Sequence, residues 1–303
     1  MGMHDLAGKV AVITGAGSGL GREFAVAAAG RGMSVVLADV QDDALAGTLS
    51  EIERMGAPAV ARRVDVSQSS EVEALAKDSL SKFGAVHLLF NNAGVAGGGG
   101  LVWETSETDW RWTLGVNLWG VVHGIRHFTP LMLEAARSDA RYRGRIINSA
   151  SMAGLVSAPL MGTYSATKHA VVSVSETLYH DLALVTDQVS CSVLCPFFVP
   201  TGIARSDRNR PKELVDERPP TNAQVIAHQM NVHAVEHSKV SASEVARMVF
   251  DAIGEDRFYI YSHPQAMSAV ERRMQDIICQ RNPTDPLADR PDFRRKMAQA
   301  IGF

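Results

Sequence analysis

The segment TYSATKHAV, residues 163–171, places a tyrosine and a lysine four positions apart. Its small and apolar residues are typical of a buried helix, on which Tyr164 and Lys168 share one face. A buried lysine is costly unless its charge has a use. Free tyrosine, with a pKa of about 10, is a weak base at neutral pH, but an adjacent ammonium stabilises the phenolate and lowers that pKa. The pair therefore predicts a tyrosine that exchanges a proton with an alcohol or a carbonyl oxygen.

A second chemical signal is the glycine-rich turn VITGAGSGLGREFA, which joins a predicted strand to a predicted helix. Gly15, Gly19 and Gly21 let the backbone turn tightly and let a ligand approach with no Cβ in the way. The free N–H groups and the positive dipole end of the following helix attract a pyrophosphate. The spacing G-x-x-x-G-x-G differs from the commoner G-x-G-x-x-G. Its place after the first strand of a parallel sheet favours dinucleotide binding over a purely structural turn.

Asp39 ends the second predicted strand, about 20 residues beyond these glycines, where a carboxylate accepts hydrogen bonds from the adenine ribose hydroxyls. The same carboxylate would repel a 2′-phosphate. Ser18 and Val40, the positions that could offset this repulsion, are not basic. The sequence therefore predicts NAD rather than NADP as the cofactor. The alternative is a solvated aspartate that starts the next helix.

Together with four further motifs, the turn and the tyrosine–lysine pair resemble the short-chain dehydrogenase/reductase family from residue 9 to about residue 201. The matching elements are TGAGSGLG at 14–21, DV at 65–66, NNAG at 91–94, Asn117 in VNLWG, Ser151 in NSASMAG, and YSATK at 164–168. Any one of these elements alone is weak, but six in order and in register are very specific.

The resemblance implies four catalytic residues. Tyr164 is the acid/base, while Lys168 lowers its pKa and reaches the cofactor ribose. Ser151 donates a hydrogen bond to the substrate oxygen. Asn117 supports a proton relay, because a bulge in its helix would free its carbonyl to hold a water near Lys168. The structural alternatives are a strand-end serine at Ser151 and a helix-interior amide at Asn117.

The resemblance also implies a set of cofactor contacts. Asp65 and Val66 match the pair that holds the adenine ring, and Val199 and Thr201 match positions that hold the nicotinamide carboxamide. The full set of expected cofactor residues is Gly15, Ser18, Gly19, Leu20, Gly21, Asp39, Asp65, Val66, Asn91, Ala93, Gly94, Tyr164, Lys168, Val199 and Thr201.

Apolar residues lie in segments near the expected site and predict a pocket for a secondary alcohol, cyclic or aromatic. They are Met152, Leu155, Leu160, Met161, Phe197 and Phe198. Phe197 stands where the family has a glycine. His233 and His237 lack an accompanying carboxylate or cysteine ligand pattern, so no metal site is expected. The expected activity is that of an NAD-dependent alcohol dehydrogenase or ketone reductase. The alternative is a catalytically silent NAD-sensing protein, which would have no need of all four catalytic residues.

These side chains require a scaffold, and apolar runs of strand length alternate with helical-period segments along most of the chain. Strands are predicted at 9–14, 33–39, 57–65, 86–91, 144–149, 189–195 and 258–262. Helices are predicted near 19–31, 42–55, 69–82, 106–137, 163–186 and 241–254. Near-continuous Val/Ile/Leu strands in this alternation predict a single doubly wound Rossmann-type α/β domain with a seven-stranded parallel sheet.

The domain is expected to span residues 1–263. Within it, residues 202–240 are polar, long and interrupted by prolines, which is typical of a lid over a binding site. Residues 264–303 form a C-terminal extension expected to pack on the domain or on a partner subunit, with a helix at 266–280. The glycine run 97–100 is either a mobile pocket rim or a plain flexible loop.

Composition limits the partners. The chain has 303 residues, 46% hydrophobic and 21% charged, and a net charge of −3, so no field draws it to nucleic acid or to an anionic membrane. No apolar run reaches the roughly 18 residues of a membrane span, and the N-terminus lacks a signal peptide. Three cysteines are too few for a disulfide framework. The expectation is a cytoplasmic homodimer or homotetramer that acts on a small alcohol or ketone.

Overall fold

The computed structural model of the protein describes residues 2–303, and its centre is a seven-stranded sheet. The strands are β1 (Val10–Thr14), β2 (Ser34–Asp39), β3 (Ala59–Arg63), β4 (Leu88–Asn91), β5 (Gly144–Ser149), β6 (Val189–Cys195) and β7 (Tyr259–Tyr261). They pair in the order β3-β2-β1-β4-β5-β6-β7, and every pair is parallel. The predicted doubly wound α/β fold is confirmed, with a strand inside each predicted strand segment.

The central strands are buried along their whole length because helices cover both faces of the sheet. All residues of β1 and of β5 are buried. Side chains that alternate along a strand enter opposite cores. Ala11 and Ile13 belong to the core on one face, and Val10 and Val12 belong to the core on the other. Two buried faces explain why these strands are continuously apolar in sequence.

Helices cover both faces of the sheet and complete the two cores. They are α1 (Gly19–Ala29), α2 (Asp42–Arg54), α3 (Ser69–Phe83), α4 (Glu107–Leu114), α5 (Gly120–Ser138), α6 (Gly162–Val185), α7 (Asn222–Glu236), α8 (Ala242–Gly254), α9 (Met267–Ile278) and α10 (Pro291–Ile301). Apolar residues of α1, α2 and α8 pack on one face, and those of α3, α5 and α6 pack on the other. Ser106, Thr221 and Ser241 start α4, α7 and α8 with capping boxes. Within residues 2–303 none of the helices is long and apolar enough to cross a membrane.

The predicted helix 106–137 is divided in the structure. A π-helical turn, Gly115–Trp119, separates α4 from α5, and the Gly120 N–H donates to the Gly115 carbonyl across five residues. Such widened turns are frequent at functional sites. Asn117, in the middle of this turn, is fully buried. Hydrophobic periodicity does not distinguish a one-turn widening from a continuous helix, so the sequence predicted one element.

The two segments outside the strand–helix alternation hold more regular structure than predicted. Residues 202–240 contain short 3-10 turns at Gly202–Asn209 and Lys212–Leu214, followed by α7. In the C-terminal extension, α9 matches the predicted helix, but α10 was not predicted because proline and aspartate dominate the tail. Pro291 begins α10 at a position where its missing N–H costs nothing. α10 packs against α7 and so joins the two segments.

The order of the strands determines where a site can form. Strand order reverses between β1 and β4, and in an open parallel sheet ligands bind beyond the carboxyl ends of the strands at such a point. Gly15 follows β1, Asn92 follows β4 and Ser151 lies shortly after β5. The chemical motifs of the sequence therefore converge at one edge of the sheet.

Candidate active site

A cleft that is partly open to solvent lies at this edge of the sheet. It is bordered by the glycine turn after β1, the loops after β4 and β5, and the start of α6. Its lining includes Gly15, Ser18, Gly19, Ala93, Gly94, Tyr164 and Lys168. The structure thus brings the predicted cofactor turn and the predicted proton-transfer pair to one continuous cleft.

The glycine turn leaves the start of α1 uncovered. Gly15 has φ +68°, and a Cβ at this position would lie 2.9 Å from the Ala93 Cα. A Cβ at Gly21 would lie 2.0 Å from the Gly15 carbonyl oxygen, so only glycine allows α1 to approach the strand end. Ser18, the N-cap of α1, makes no side-chain capping hydrogen bond. Open amides at a helix N-terminus, with no Cβ above them, fit the pyrophosphate of a dinucleotide.

Asp39 braces this turn from the end of β2. Its Oδ2 accepts a hydrogen bond from the Gly17 N–H at 2.8 Å, and its Oδ1 accepts one from the Gln41 N–H at 3.0 Å. The side chain is buried yet lines the cleft. Asp39 is therefore not the solvated aspartate of the alternative interpretation. It shapes the turn and also presents a carboxylate at the place expected for an adenine ribose.

Ser151, Tyr164 and Lys168 meet where the end of β5 faces the first turn of α6. The Tyr164 hydroxyl is hydrogen-bonded to the Ser151 side chain. Lys168 is buried, and its Nζ donates to the Ser149 carbonyl at 2.8 Å and lies 5.6 Å from the centre of the Tyr164 ring. The lysine charge thus stands beside the tyrosine, held by a backbone carbonyl and away from bulk water.

Burial dominates the titration of both groups. It raises the pKa of the Tyr164 phenol above the ordinary tyrosine value, and the hydrogen bond with Ser151 lowers that pKa. Tyr164 as a whole is half-buried and lines the cleft. Burial lowers the pKa of the Lys168 ammonium to about 8, with Cys195 acting in the opposite direction. The protein by itself therefore favours a neutral tyrosine and makes the lysine charge expensive.

Asn117 connects the π turn to the loop after β4. Its Oδ1 accepts from the Val95 N–H at 2.8 Å, and its Nδ2 donates to the Val95 carbonyl at 3.0 Å. The same Nδ2 donates to the Thr167 hydroxyl at 3.3 Å, and that hydroxyl donates to the Tyr164 carbonyl at 2.8 Å. Asn117 and Thr167 are both fully buried. A buried network therefore runs from the loop beside the cleft to the backbone of the tyrosine.

Most of the expected cofactor residues line the cleft, but Gly21, Asn91 and Val199 do not. Gly21 faces inward to the turn itself. Asn91 is buried, and its Nδ2 donates to the Asn148 Oδ1 at 2.9 Å. Val199 is buried in the core that contains α1 and α8. Their effect on a cofactor would therefore be through the shape of the loops.

Several residues that line the cleft were not predicted. Asn92 rather than Asn91 faces it, and the Asn92 Nδ2 donates to the Thr14 carbonyl at 3.0 Å. The NNAG motif pointed to this position, but which of its two asparagines faces the cleft depends on where β4 ends. Trp112, Arg208 and Leu214 also line the cleft. No local spacing points to these three, because packing of distant segments brings them there.

The six residues expected in the substrate pocket do not share one surface. Met152 and Leu155 are buried in a third core beneath the site. Leu160 is buried with φ +65°, and its carbonyl accepts from the Gly100 N–H. Met161 forms a β-bridge with the same glycine. Phe197, which is exposed, packs edge-on against Phe198. None of the six residues lines the cleft, so the apolar pocket that they were expected to form stays a prediction.

The glycine run 97–100 is closely packed in the structure. A Cβ at Gly98 would lie 2.5 Å from the Asp109 carboxyl carbon, and one at Gly99 would lie 2.7 Å from the Ala227 Cβ. Comparable contacts occur at the other two glycines of the run. The run therefore allows α4 and α7 to pack closely against the loop beside the cleft.

Residues 202–240, which the sequence predicted to be a lid and which are called the lid segment below, are docked across this region by buried polar contacts. The Ser206 hydroxyl accepts from the Ala96 N–H at 3.0 Å. Arg210 pairs with Asp109 at 2.7 Å, and both side chains are largely buried. In the same segment, the His233 and His237 rings are tilted by 32° to each other, with centroids 4.0 Å apart. Across residues 2–303 no three His, Cys, Asp or Glu side chains gather as they would around a metal ion.

Comparison with known proteins gives a consistent set of similarities. The model of the family described as short chain dehydrogenase matches residues 9–212. The chain is 32% identical over 290 residues to the CLA biosynthesis dehydrogenase/reductase of Lactiplantibacillus plantarum, which covers 95% of this chain and 99% of that protein. It is 36% identical over 168 residues to the cyclohexanol dehydrogenase of Acinetobacter sp. (strain SE19), which covers 55% of this chain and 64% of that protein.

Among solved structures, similarity extends over nearly the whole chain. A short chain dehydrogenase/reductase from Burkholderia phymatum, crystallised in complex with NAD, is 52% identical and superposes with a TM-score of 0.91. The match covers 94% of this chain and 100% of that protein.

Proposed function

This chain belongs to the short-chain dehydrogenase family, and from that premise we propose that it interconverts an apolar secondary alcohol, cyclic or aromatic, and its ketone with NAD. The observation that carries the proposal is that Tyr164 and Lys168 line the cleft whose other half is the glycine turn, with the buried Ser151 side chain next to Tyr164. The Tyr164–Lys168 side of the cleft can transfer a proton, and the glycine turn can bind a dinucleotide.

The cleft fits NAD. The amides at the start of α1 would hold the pyrophosphate, and Asp39 would accept from the adenine ribose. Asp65 and Val66 would flank the adenine, while Tyr164, Lys168 and Thr201 would border the nicotinamide half. When bound, NAD supplies the acceptor for the hydride that leaves the alcohol carbon, or NADH supplies its donor.

Tyr164 manages the proton in this proposal. In the oxidation direction its oxygen takes the proton of the alcohol hydroxyl, and in reduction its O–H donates that proton to the carbonyl oxygen. Burial raises the pKa of Tyr164, which keeps the phenol protonated and ready to donate. Removing its proton requires nearby positive charge, and Lys168 is the cation placed to provide it. Ser151 would donate to the substrate oxygen as negative charge develops there.

Asn117 serves as a positioning residue in the proposal. Its side chain is committed to Val95 and Thr167. The network holds the loop beside the cleft and the Tyr164 backbone in fixed relation. The widened turn around Asn117 supports the bulge that a relay through its carbonyl would require.

The proposed substrate class rests on the charges and surfaces around the glycine run and the segment 202–240. Arg210, the largely buried cation of the lid segment, is already neutralised by Asp109. The Ala227 side chain packs against Gly99 of the glycine run. The similarity to a protein named cyclohexanol dehydrogenase supports a cyclic secondary alcohol. An apolar ring would be desolvated here without leaving a buried charge unpaired.

The test begins with purified protein, NAD and three alcohols: cyclohexanol, a phenyl-substituted secondary alcohol and lactate as an anionic control. We expect NADH to form with the first two and little to form with lactate. Tyr164→Phe should bind NAD nearly as wild type but lose turnover by at least about a hundredfold, because only the transferable proton is removed. Near wild-type turnover by this variant would overturn the assignment of Tyr164.

The second candidate is a catalytically silent NAD-binding protein with the same fold. It is favoured if NAD binds but no alcohol or ketone supports hydride transfer in either direction. The presence of all four residues, Asn117, Ser151, Tyr164 and Lys168, argues against it, because a binding protein has no need of a buried lysine beside a buried tyrosine hydroxyl.

A further inference from the structure

The guanidinium of Arg208 bridges the two sides of the cleft. Arg208 is exposed and lies in the 3-10 segment Gly202–Asn209. Its Nε and Nη2 donate to the Gln41 Oε1 at 3.3 and 3.2 Å. Its Nη1 donates to the carbonyls of Gly202 and Arg205 at 3.0 and 2.6 Å. The side chain thus joins the first turn of the lid segment to the loop after β2.

This bridge passes beside the glycine turn. A Cβ at Gly19 would lie 3.0 Å from the Thr201 Cβ, so the start of the lid segment touches the turn directly. A Cβ at Gly202 would lie 3.2 Å from the Arg208 Nη2, which places the guanidinium against the next residue. Gln41 lies on the opposite side, next to the carboxylate end of β2, and Arg208 lines the same cleft.

The charge of Arg208 is not neutralised by an acid. Its acceptors are one amide oxygen and two backbone carbonyls, all of them neutral. In the described part of the chain, residues 2–303, no carboxylate lies within ion-pair distance of it. Arg210, two residues later, is paired with Asp109. A guanidinium held by neutral acceptors keeps its charge and its planar geometry for an anion such as phosphate.

We propose that Arg208 is a cofactor-binding residue whose guanidinium closes over the pyrophosphate of NAD. The Gln41 amide holds the side chain above the cleft, so the cation is oriented before the cofactor arrives. Because this contact is an exposed hydrogen bond to a neutral group, it can break to let the cofactor enter and leave. The inference rests on the NAD dependence in the proposed function but not on the identity of the alcohol.

Calorimetric titration with NAD, ADP and adenosine tests the proposal without any turnover. Arg208→Gln keeps much of the side-chain length and loses the charge. This variant should bind NAD and ADP with about tenfold lower affinity, which is the scale of a charge-assisted contact to phosphate. Its affinity for adenosine should be unchanged. Arg208→Lys should recover part of the loss. Arg205→Gln is the matched control, since Arg205 is an exposed arginine of the same turn that does not line the cleft, and its NAD affinity should equal that of wild type.

Two results would overturn the proposal. One is wild-type affinity of Arg208→Gln for both NAD and ADP. The other is an equal loss for adenosine and ADP, which would mean that Arg208 packs against the nucleoside and does not contact phosphate. These titrations contain no alcohol, so an incorrect substrate class would change neither result. A failure of the Arg208–pyrophosphate contact can therefore be distinguished from a failure of the proposed substrate class.

Discussion

At the residue scale, the Asp39 carboxylate has partners within the protein as well as a place beside the cofactor. It accepts from the amides of Gly17 and Gln41 and so holds the glycine turn against the loop after β2. Removing the carboxylate therefore has two effects. It relieves repulsion of a 2′-phosphate, and it leaves two amides without their acceptor, which loosens the turn.

The first prediction at this scale concerns cofactor choice. Asp39→Ala combined with Val40→Arg should shift the ratio of kcat/KM for NADP over NAD upward by at least about tenfold, because one repulsive charge is lost and a phosphate partner is added. The single variant Asp39→Ala should weaken NAD because the turn loses its brace. Steady-state kinetics with both cofactors measures the shift, and a double variant that keeps the wild-type ratio would contradict the role given to Asp39.

The second prediction concerns Lys168 and pH. Burial lowers the pKa of Lys168 to about 8 in the folded protein, below the value of about 10.4 for an exposed lysine. Between these values the unfolded chain binds a proton that the folded chain does not, so the free energy of unfolding rises with pH. The cost of the buried charge is full below pH 8 and disappears as the pH approaches about 10.4. Lys168→Met removes this cost, although it also removes the donor to Ser149.

As the pH rises from about 7 to about 10, the free energy of unfolding of the wild type should increase relative to that of Lys168→Met by about 1 kcal/mol or more. Urea unfolding at a series of pH values measures the difference. Lys82→Met, an exposed lysine near the end of α3, is the control and should show no such trend. A difference that does not vary with pH would contradict the buried-charge explanation.

At the scale of elements, the glycine run 97–100 determines how α4 and α7 approach the cleft. Gly98 sits against the Asp109 carboxylate, and Asp109 pairs with Arg210 of the lid segment. A methyl group at this position would therefore press on a buried ion pair. The neighbouring backbone has little room to move, because the rest of the run is equally close-packed.

Gly98→Ala should lower the free energy of unfolding by about 1–3 kcal/mol, the usual cost of overpacking, and should raise KM for the alcohol. Gly47→Ala is the matched substitution. Gly47 lies in α2 with open space where its Cβ would be, so alanine should stabilise the protein by about 0.5–1 kcal/mol. Thermal unfolding of both variants tests the pair, and equal effects would show that local packing at the run is not decisive.

At the scale of the whole molecule, the lid segment connects the cofactor cleft to the C-terminal extension. Its first turn reaches Gln41 through Arg208, Arg210 just after that turn reaches Asp109, and α7 packs on α10. The hydrogen bonds of Arg208 are exposed, whereas the Arg210–Asp109 pair is largely buried. Opening should therefore begin at the Arg208 contacts.

We expect amide hydrogen exchange in residues 202–214 to slow when NAD and a substrate analogue bind, since closure over the cleft protects these backbone groups. Exchange in α8, which is packed in the core, should be the same in both states and serves as the internal control. Strong and equal protection of residues 202–214 in both states would exclude a lid and leave a rigid surface segment.

The sequence by itself determined the sheet, the turn and the placement of the proposed proton-transfer pair. Each of these depends on neighbours in the chain: continuous apolar runs predict buried parallel strands, the glycine spacing predicts the turn after β1, and the four-residue spacing places Tyr164 and Lys168 on one face. Local spacing also identified Ser151 and Asn117 as candidates through the resemblance. The features that could be predicted are therefore those that depend on residues close together in the sequence.

Only the tertiary structure decided which of these residues face the cleft and what completes it. Apolar character is the same for a core residue and a pocket residue, so Met152 and Leu155 were expected in the pocket and lie in the core. Arg208 reaches Gln41 across 167 positions of sequence, and no local pattern encodes such a contact. These positions depend on long-range packing, because each is determined by the shapes of two segments that are distant in sequence. A hydrophobic pattern along the sequence predicts that a residue is buried, but it does not indicate which segment the residue packs against.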